Sequence, residues 1–318
     1  MMLDSFDASK FRKFPKIENL DLTQEFPIPM ISESSKFFVS EKIDGCNLGV
    51  YIPLDKETPF SFFSRSGVDA NTLYNFEKDK AKLGSFLKDF RRFCAEEFKG
   101  VESVYLWGEY YGEMINRRIK YGVDGWFKFY NIATVEEGLD SPSKFNEIMT
   151  KFMKQYPIYG EFILLSKELN LKVSNKSDLM EAFKFPAKSE VAPTEHREGY
   201  VFTCVTKDGE VFRWKHKDPE FFEKKCSGGG KQIVDGDYET FKKLFKDYIT
   251  ENRVYSVLSK TPERNIGKLC GLLMADAKED FLLEYGEQLK EKDEDYLKKV
   301  FNVGSLGFMT IKTVLSKL

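Results

Sequence analysis

The sequence predicts an α+β fold in which antiparallel sheets with flanking helices are followed by a small, all-helical C-terminal domain. Short strand-like runs bounded by turn residues recur up to residue 217. Beyond residue 237, apolar side chains recur instead at the three- and four-residue spacing of amphipathic helices. With 318 residues, 42% of them hydrophobic, the chain is long enough for two domains.

The first half of the chain predicts strands interrupted by one long helix. In residues 72–99, apolar side chains recur every three or four positions until Gly100 ends the run, which predicts a helix with a buried stripe. The runs on either side are rich in aromatic and β-branched residues, as strands are. These predicted strands cover residues 36–43, 46–52, 60–67, 103–111 and 126–135.

The second half returns from helices to strands. Two helices are expected between residues 141 and 185, the first beginning at the Ser-Pro pair that suits an N-cap and first turn. Residues 197–205 and 209–217 then alternate as two strands joined at a Lys-Asp-Gly turn. This order predicts a return to the sheet before the helical tail.

A run of three glycines, residues 228–230, marks the expected domain boundary because it suits neither a helix nor a strand. We therefore predict domains of residues 1–227 and 228–318. The run is not a phosphate-binding P-loop, since Lys231 is followed by Gln232 where serine or threonine is required.

Composition excludes several classes of function. The formal net charge of -2 gives no basic field over the whole surface, so any nucleic-acid contact must come from a local groove. Five scattered cysteines without a C-x-x-C pair, and only two histidines, argue against a structural zinc site. The N-terminus has no signal or transit pattern and no run suits a membrane span, so we expect a cytoplasmic protein, in the host cytoplasm if it is viral.

The candidate nucleophile is Lys42, which lies in "EKIDG" between a predicted strand and a tight turn at Asp44 and Gly45. A lysine must be neutral to attack, so it needs burial, neighbouring cations or a metal ion. By itself, the K-x-D-G pattern equally suits a charged hairpin turn. The assignment therefore depends on other residues.

One predicted strand carries a row of cations. In "VFRWKHK", residues 211–217, alternation puts Arg213, Lys215 and Lys217 on one face and aromatic side chains on the other. Such a row repels itself unless carboxylates or anions meet it; the alternative is a strand open to solvent. The predicted strands that begin near Glu198 and contain Glu109 offer the carboxylates.

Four elements in order, "EKIDG", "GEYYG", "EGYVF" and "KHK", resemble the signature motifs of the covalent nucleotidyltransferases: DNA ligases, RNA ligases and mRNA capping enzymes. The finer wording is most similar to the RNA ligase family that includes T4 RNA ligase 2 and the RNA-editing ligases. That wording comprises "EKIDGCN", "SRSG" at 64–67, "FYNI" at 129–132, "WKHKDPEFFEK" and "FRKFPKIEN" at 11–19. The likeness spans residues 11–225 and fades in the helical tail.

The resemblance implies a nucleotidyltransferase (ligase adenylation) domain in which Lys42 attacks the α-phosphate of ATP and becomes a lysyl-adenylate. Lys215 and Lys217 would bind that phosphate, and with a metal ion they would favour a neutral Lys42. Glu109 would hold the ribose. Glu198 would act on the metal or on the lysine. These roles make Lys42, Lys215, Lys217 and Glu198 the expected catalytic residues, with Glu198 as the metal ligand.

The resemblance also assigns residues that hold the nucleotide. Arg65 and Asn47 would position the sugar, a phosphate or the attacking group. Tyr130 would stack on adenine where the family more often has phenylalanine, with Phe127 and Phe129 as alternatives. The expected nucleotide-binding set is Glu41, Lys42, Ile43, Asn47, Arg65, Glu109, Tyr130, Glu198, Lys215 and Lys217.

The function that the resemblance implies is that of an ATP-dependent RNA ligase, which seals 3'-hydroxyl and 5'-phosphate ends of RNA, in a nicked duplex or between free ends. ATP, with AMP as the covalent intermediate, and Mg²⁺ or Mn²⁺ are the expected cofactors. We expect a monomer without a membrane partner. DNA ligases and capping guanylyltransferases are alternatives, although both normally add an OB-fold barrel, and this tail predicts helices. A further alternative is a catalytically inactive nucleic-acid-binding protein.

Overall fold

The computed structural model describes residues 6–15, 17–20, 35–65, 67, 69–73, 75–113, 115, 119–134, 141–221, 237–261 and 265–316. The chain divides into two compact units, Met1–Asp218 and Pro219–Leu318, called unit 1 and unit 2 below. The predicted boundary between residues 227 and 228 lies outside the described residues, so its position stays a prediction.

Unit 1 is built on two sheets. Its strands are β1 (Glu18–Asn19), β2 (Lys36–Lys42), β3 (Gly45–Pro53), β4 (Ser61–Ser64), β5 (Ser103–Tyr111), β6 (Trp126–Thr134), β7 (Lys167–Glu168), β8 (Gly199–Val205) and β9 (Val211–Lys217). One sheet has the order β1-β9-β8-β2-β7 and the other β4-β3-β5-β6. All neighbouring strands are antiparallel except β1 and β9. The predicted α+β class is confirmed.

Both units contain helices, and the predicted all-helical C-terminal region is confirmed over residues 237–261 and 265–316. Unit 1 contains α1 (Phe76–Asp79), α2 (Gly84–Glu97), α3 (Pro142–Gln155) and α4 (Lys176–Ala182). Unit 2 contains α5 (Tyr238–Lys246), α6 (Glu251–Lys260), α7 (Ile266–Leu289), α8 (Glu294–Phe301) and α9 (Gly304–Leu315). The single helix predicted over 72–99 is wrong in detail, because 3-10 turns precede α1 and separate it from α2. None of the helices in the described residues is long and apolar enough to cross a membrane.

The sheet β4-β3-β5-β6 is covered on both faces, which explains why its strands are apolar almost throughout. On one face, Phe86 of α2 packs on Phe129 of β6, and Phe152 of α3 packs on Phe86. On the other face, Phe14 of the N-terminal segment packs on Trp107 of β5. Burial on both faces fixes the register of these strands, and the register in turn fixes the positions of the side chains at the strand ends.

The chain passes from one sheet to the other between β2 and β3. Lys42 is the last residue of β2, which belongs to the five-stranded sheet, and Gly45 is the first residue of β3, which belongs to the four-stranded sheet. Only Ile43 and Asp44 lie between them, and both are buried. The predicted nucleophile therefore lies where the two sheets meet.

Candidate active site

Three adjacent strands bring the predicted lysines together. In the register of β2, β8 and β9, Gly199 lies opposite Lys42 on one side and opposite Lys217 on the other. A Cβ atom on Gly199 would lie 2.2 Å from the backbone oxygen of His216. The glycine of "EGYVF" is therefore required because β8 and β9 approach too closely for any side chain.

Glu198 precedes this glycine and joins the two lysines. Its Oε2 atom lies 2.5 Å from Lys42 Nζ, and its Oε1 atom lies 2.9 Å from Lys217 Nζ. The Glu198 side chain is 1% exposed, whereas those of Lys42 and Lys217 are 21% and 25% exposed. We call this arrangement the Lys42–Glu198–Lys217 triad. A carboxylate so deeply buried is tolerated only when cations meet it, so the triad fixes both lysines.

Lys215 completes the cationic face of β9. Burial, together with the charges of Lys217, Lys42 and Arg65, lowers the pKa of Lys215 to about 8. The predicted alternation is confirmed, since Trp214 and His216 are buried on the opposite face. The alternative, a strand open to solvent, is wrong, because β9 pairs with β1 and β8 and the Glu198 carboxylate meets Lys217 at 2.9 Å.

Glu109 is held across the site on β5, opposite Asn47 of β3. Desolvation raises the pKa of the Glu109 carboxyl to about 8, with a smaller opposing effect from Lys42 and a further rise from the charge of Glu198. At neutral pH the carboxyl is therefore mostly protonated. In that form it can donate a hydrogen bond as well as accept one.

Tyr130 is the aromatic residue of β6 that reaches the site. It is the extra residue of a β-bulge, because Trp107 pairs with Asn131 and the next residue, Gly108, pairs with Phe129. The Asn47 side-chain amide donates a 2.6 Å hydrogen bond to the Tyr130 hydroxyl. Phe127 and Phe129, the alternatives for stacking, are both 0% exposed in the hydrophobic core. Of the three, only the half-buried Tyr130 can meet a ligand.

Arg65 lies in the turn after β4, with its side chain exposed. Its charge acts on the Glu109 carboxyl and on the Lys215 ammonium, lowering the pKa of each. The residue after it, at position 66, lies outside the described residues. The charge of Arg65 therefore acts on one residue from each sheet, Glu109 of β5 and Lys215 of β9.

The side chains of Glu41 and Ile43, the neighbours of Lys42 in the sequence, are both buried. The Glu41 carboxylate accepts hydrogen bonds of 2.5 Å from the Ser189 hydroxyl and 2.5 Å from the Glu190 backbone N–H. Because its carboxylate is engaged and buried, Glu41 could meet a nucleotide only through its backbone.

A hydrogen bond and close backbone packing hold the turn that follows Lys42. The backbone N–H of Asp44 donates a 2.8 Å hydrogen bond to the hydroxyl of Tyr121, 77 residues away in the sequence. Gly45 is needed for close packing rather than for a left-handed turn, because a Cβ atom there would lie 2.5 Å from the Tyr110 backbone oxygen. No sequence pattern predicted this role for Tyr121. A glycine inside a strand pattern, as at Gly199, does indicate close backbone approach.

The protein groups do not form a metal cage by themselves. Among the described residues, no cluster of three or more histidine, cysteine, aspartate or glutamate side chains could hold a metal ion. Both oxygens of Glu198, the predicted ligand, already meet lysines. Magnesium is commonly bound by one or two carboxylates together with substrate phosphates. If Glu198 contributes to a metal site here, most of the remaining ligands would have to come from the phosphates of a bound substrate or from water.

The fold and the ordered motifs define a nucleotidyltransferase-like domain followed by a helical domain. The sequence profile of the RNA ligase family matches residues 35–217, which is more than half of the chain. The profile of the T4 RNA ligase 2 C-terminal domain matches residues 236–304. The chain therefore belongs to the RNA ligase family.

Solved structures of an RNA ligase from Naegleria gruberi are similar to this chain. The structure with PPi has 20% sequence identity and a TM-score of 0.42, over 67% of this chain and 57% of that chain. A mutant with ATP and Mn has 18% identity and a TM-score of 0.43, over 66% and 57%. A mutant with AMP and Mn has 18% identity and a TM-score of 0.41, over 70% and 58%. This chain thus spans less than two thirds of their length.

Replacing Glu109 by glutamine should remove a pH-dependent cost to the stability of unit 1. In the native state the pKa of the carboxyl is raised from 4.5 to about 8. The native state therefore binds more protons than the unfolded chain in this window, and its free energy of unfolding falls as the pH rises from 4.5 to 8. Relative to the wild type, Glu109→Gln should be more stable at pH 8 than at pH 5.

Thermal unfolding followed by tryptophan fluorescence measures this difference, since Trp107, Trp126 and Trp214 are the three tryptophans of the chain and all lie in unit 1. The exposed Glu57→Gln is the matched control, and its effect on Tm should be the same at both pH values. If the effect of Glu109→Gln on Tm is also the same at both pH values, the assignment of a protonated Glu109 carboxyl is contradicted.

Replacing Tyr121 by phenylalanine should loosen the turn after Lys42. The buried Asp44 N–H would lose its acceptor, which costs about 1–3 kcal/mol of unfolding free energy. Amide hydrogen exchange at Asp44 should become faster, while exchange in β5 stays slow. Tyr111→Phe is the control, because the centroid of the Tyr111 ring lies 4.8 Å from that of Tyr121 and both tyrosines are buried. Equal protection of Asp44 in both variants would show that the hydrogen bond is unimportant.

Proposed function

We propose that this protein is an ATP-dependent RNA ligase that joins a 3'-hydroxyl end to a 5'-phosphate end through a lysyl-adenylate. The observation that carries the proposal is the Lys42–Glu198–Lys217 triad, in a chain that belongs to the RNA ligase family. In the triad, Lys42, the proposed nucleophile, and Lys217, a proposed phosphate-binding cation, each lie within hydrogen-bond distance of Glu198, the proposed proton acceptor. Lys215 adds a second cation on the same face of β9.

In the first step, Lys42 Nζ attacks the α-phosphorus of ATP. The phosphorus–nitrogen bond forms while the bond from the α-phosphorus to the bridging oxygen breaks, and pyrophosphate leaves with the electron pair. Lys42 must lose one proton before the attack and a second as the new bond forms. Glu198 Oε2, at 2.5 Å, is placed to take the first, and the second goes to solvent.

The next two steps pass the nucleotide on. A 5'-phosphate oxygen of RNA attacks the lysyl-adenylate, the phosphorus–nitrogen bond breaks, and Lys42 leaves as an amine that regains its protons. The 3'-hydroxyl of the other end then attacks the 5'-phosphate and loses its proton, forming the phosphodiester bond and releasing AMP. Lys215 and Lys217 would stabilise the charge that develops on phosphate oxygens in each step.

The proposal includes a divalent metal, Mg²⁺ or Mn²⁺, for which Glu198 is the candidate protein ligand. When bound, such an ion would neutralise phosphate charge and help to align the triphosphate. We also propose that Glu109 and Tyr130 hold the ribose and the adenine, as the resemblance implies. Backbone groups of Glu41 and Ile43 are then the remaining contacts for the base.

The helical tail favours an RNA ligase over the two related classes. DNA ligases and capping guanylyltransferases normally add an OB-fold barrel of short strands after the catalytic domain. Residues 237–261 and 265–316 contain helices and no strand. A catalytically inactive binding protein is disfavoured because it would have no use for a buried carboxylate that pairs two lysines. We propose that unit 2 helps to bind the polynucleotide, and that the protein acts as a monomer in the cytoplasm.

Labelling tests the proposal directly. Purified protein incubated with ATP carrying a radiolabelled α-phosphate, together with magnesium, should retain the label after denaturing electrophoresis. Lys42→Ala should abolish the label, because the acceptor nitrogen is gone. Lys36→Ala is the matched control: Lys36 lies on the same strand, is exposed and pairs with Glu168, so its label should equal that of the wild type.

The outcomes separate the candidate functions. An unlabelled wild type would overturn the ligase proposal, and labelling by GTP but not by ATP would indicate a capping enzyme. If the label persists in Lys42→Ala, the nucleophile lies elsewhere. Sealing of nicked RNA, but not of nicked DNA, by the labelled protein would support RNA as the substrate.

A further inference from the structure

The cationic face of β9 carries three side chains, and the proposed function uses only two of them. Lys217 pairs with Glu198 in the triad, and Lys215 lies next to it on the same face. Arg213 is the third cation. Side chains on one face of a strand recur about every 6.6 Å, so the Cα atom of Arg213 lies about 13 Å from that of Lys217 along β9. One phosphate group cannot bridge that distance, so Arg213 would meet a different part of a ligand that lies along the row.

Arg213 lies close to the aromatic residue of β6 that reaches the site. Its guanidinium carbon lies 5.6 Å from the centroid of the Phe14 ring, and that ring packs edge-on against Tyr130 at 5.5 Å. Burial raises the pKa of the Tyr130 hydroxyl, and the charge of Arg213 is one of the effects that oppose this rise. If Tyr130 holds adenine as proposed, Arg213 lies at the base end of the nucleotide and Lys217 at its phosphate end.

The Arg213 end of the row is also the more enclosed end. In the register of the five-stranded sheet, Arg213 lies opposite Thr203 of β8, and Thr203 lies opposite Phe38 of β2. Thr203 and Phe38 are buried, whereas Lys42 and Lys217 at the other end are 21% and 25% exposed. Moving a charged phosphate out of water costs far more than moving an uncharged base. The enclosed end therefore suits the base of a nucleotide.

The Arg213 side chain keeps its charge in this position. Burial lowers the pKa of the guanidinium to about 10, with an opposing effect from Tyr130, so the group stays protonated at neutral pH. A protonated guanidinium donates hydrogen bonds and accepts none. Adenine offers acceptors at its ring nitrogens N1, N3 and N7, whereas its exocyclic amine is a donor. Arg213 is therefore suited to a ring nitrogen of the base and not to the amine.

We propose that Arg213 is a base-binding residue, whose guanidinium donates a hydrogen bond to a ring nitrogen of the adenine of ATP. The inference rests on the proposed function and deepens it, because the resemblance assigned Arg213 no role. Arg213 then contacts the base and none of the reacting atoms. Its loss should weaken the binding of ATP and leave the maximal rate of self-adenylation close to that of the wild type.

The wild-type protein provides a test without any substitution. Single-turnover rates of self-adenylation, followed by the mass of the protein, are measured over a range of concentrations of ATP, 1-deaza-ATP, 3-deaza-ATP and 7-deaza-ATP. Each analogue replaces one ring nitrogen by carbon. For one analogue, the concentration that gives the half-maximal rate should rise roughly tenfold or more, as for the loss of a hydrogen bond to a charged group. If all three analogues react as ATP does, the inference is overturned.

Substitution of Arg213 assigns the contact. Arg213→Met should raise the half-maximal concentration of ATP by about the factor that the sensitive analogue shows in the wild type, and ATP and that analogue should then behave alike. Arg213→Lys keeps the charge and a donor, and should preserve part of the difference. Arg12→Met is the matched control, since Arg12 is a half-buried arginine that lies over the Tyr105 ring at 5.6 Å in the same aromatic cluster. Its response to the analogues should equal that of the wild type.

A penalty for one analogue that disappears in Arg213→Met supports the inference. Penalties that persist unchanged in Arg213→Met would overturn it, because the ring nitrogen would then be recognised by another group, such as the backbone of Glu41 or Ile43. A fall in the maximal rate at an unchanged half-maximal concentration would overturn it as well, since that result is expected of a contact with the α-phosphate. A wild type that forms no adenylate with ATP would instead refute the proposed function.

Discussion

Glu198 lies almost completely out of water between two lysine ammonium groups, and much of the site depends on that pairing. A buried carboxylate without partners would be costly, so the triad holds the ends of β2 and β9 at a set distance across β8. Gly199 makes this spacing possible, because any side chain there would collide with the backbone at His216. The same few atoms thus join strand packing to the placement of the proposed nucleophile.

Desolvation also sets the charge state of the surrounding groups. It brings the pKa values of Glu109 and Lys215 from opposite directions to about 8. The site therefore contains a carboxyl group that stays mostly neutral, Glu109, and a lysine that can give up its charge, Lys215, beside the ion pairs of Glu198. Such perturbed groups are characteristic of sites that bind or transform charged ligands. Under the proposed function, we expect a polyphosphate to meet the cations on β2 and β9 and a sugar to meet the hydrogen-bonding groups on β3 and β5.

Much of this arrangement could be predicted from the sequence. The cationic face of β9 follows from strand alternation, and the fold class follows from the change of period after the strands. Contacts between distant residues could not be predicted, because no local pattern specifies them: Tyr121 reaches Asp44, and Ser189 reaches Glu41. The β-bulge that brings Tyr130 to Asn47 arises from the register of β5 and β6, which one strand's sequence does not contain. The resemblance implied that Glu198 acts on the metal or on the lysine. That Glu198 pairs with both Lys42 and Lys217 follows from the strand order, which no local sequence pattern contains.

Glu198 pairs both lysines, and we propose that it also takes the proton from Lys42. Glu198→Gln keeps the size of the side chain and removes its charge, so the most direct measurement is the rate of self-adenylation of this variant at saturating ATP. We expect the rate of self-adenylation to fall on the order of 100-fold or more, as it does when a general base is removed. The exposed Glu168→Gln should keep the wild-type rate. If folded Glu198→Gln protein reacts at a rate close to that of the wild type, Glu198 does not take the proton from Lys42.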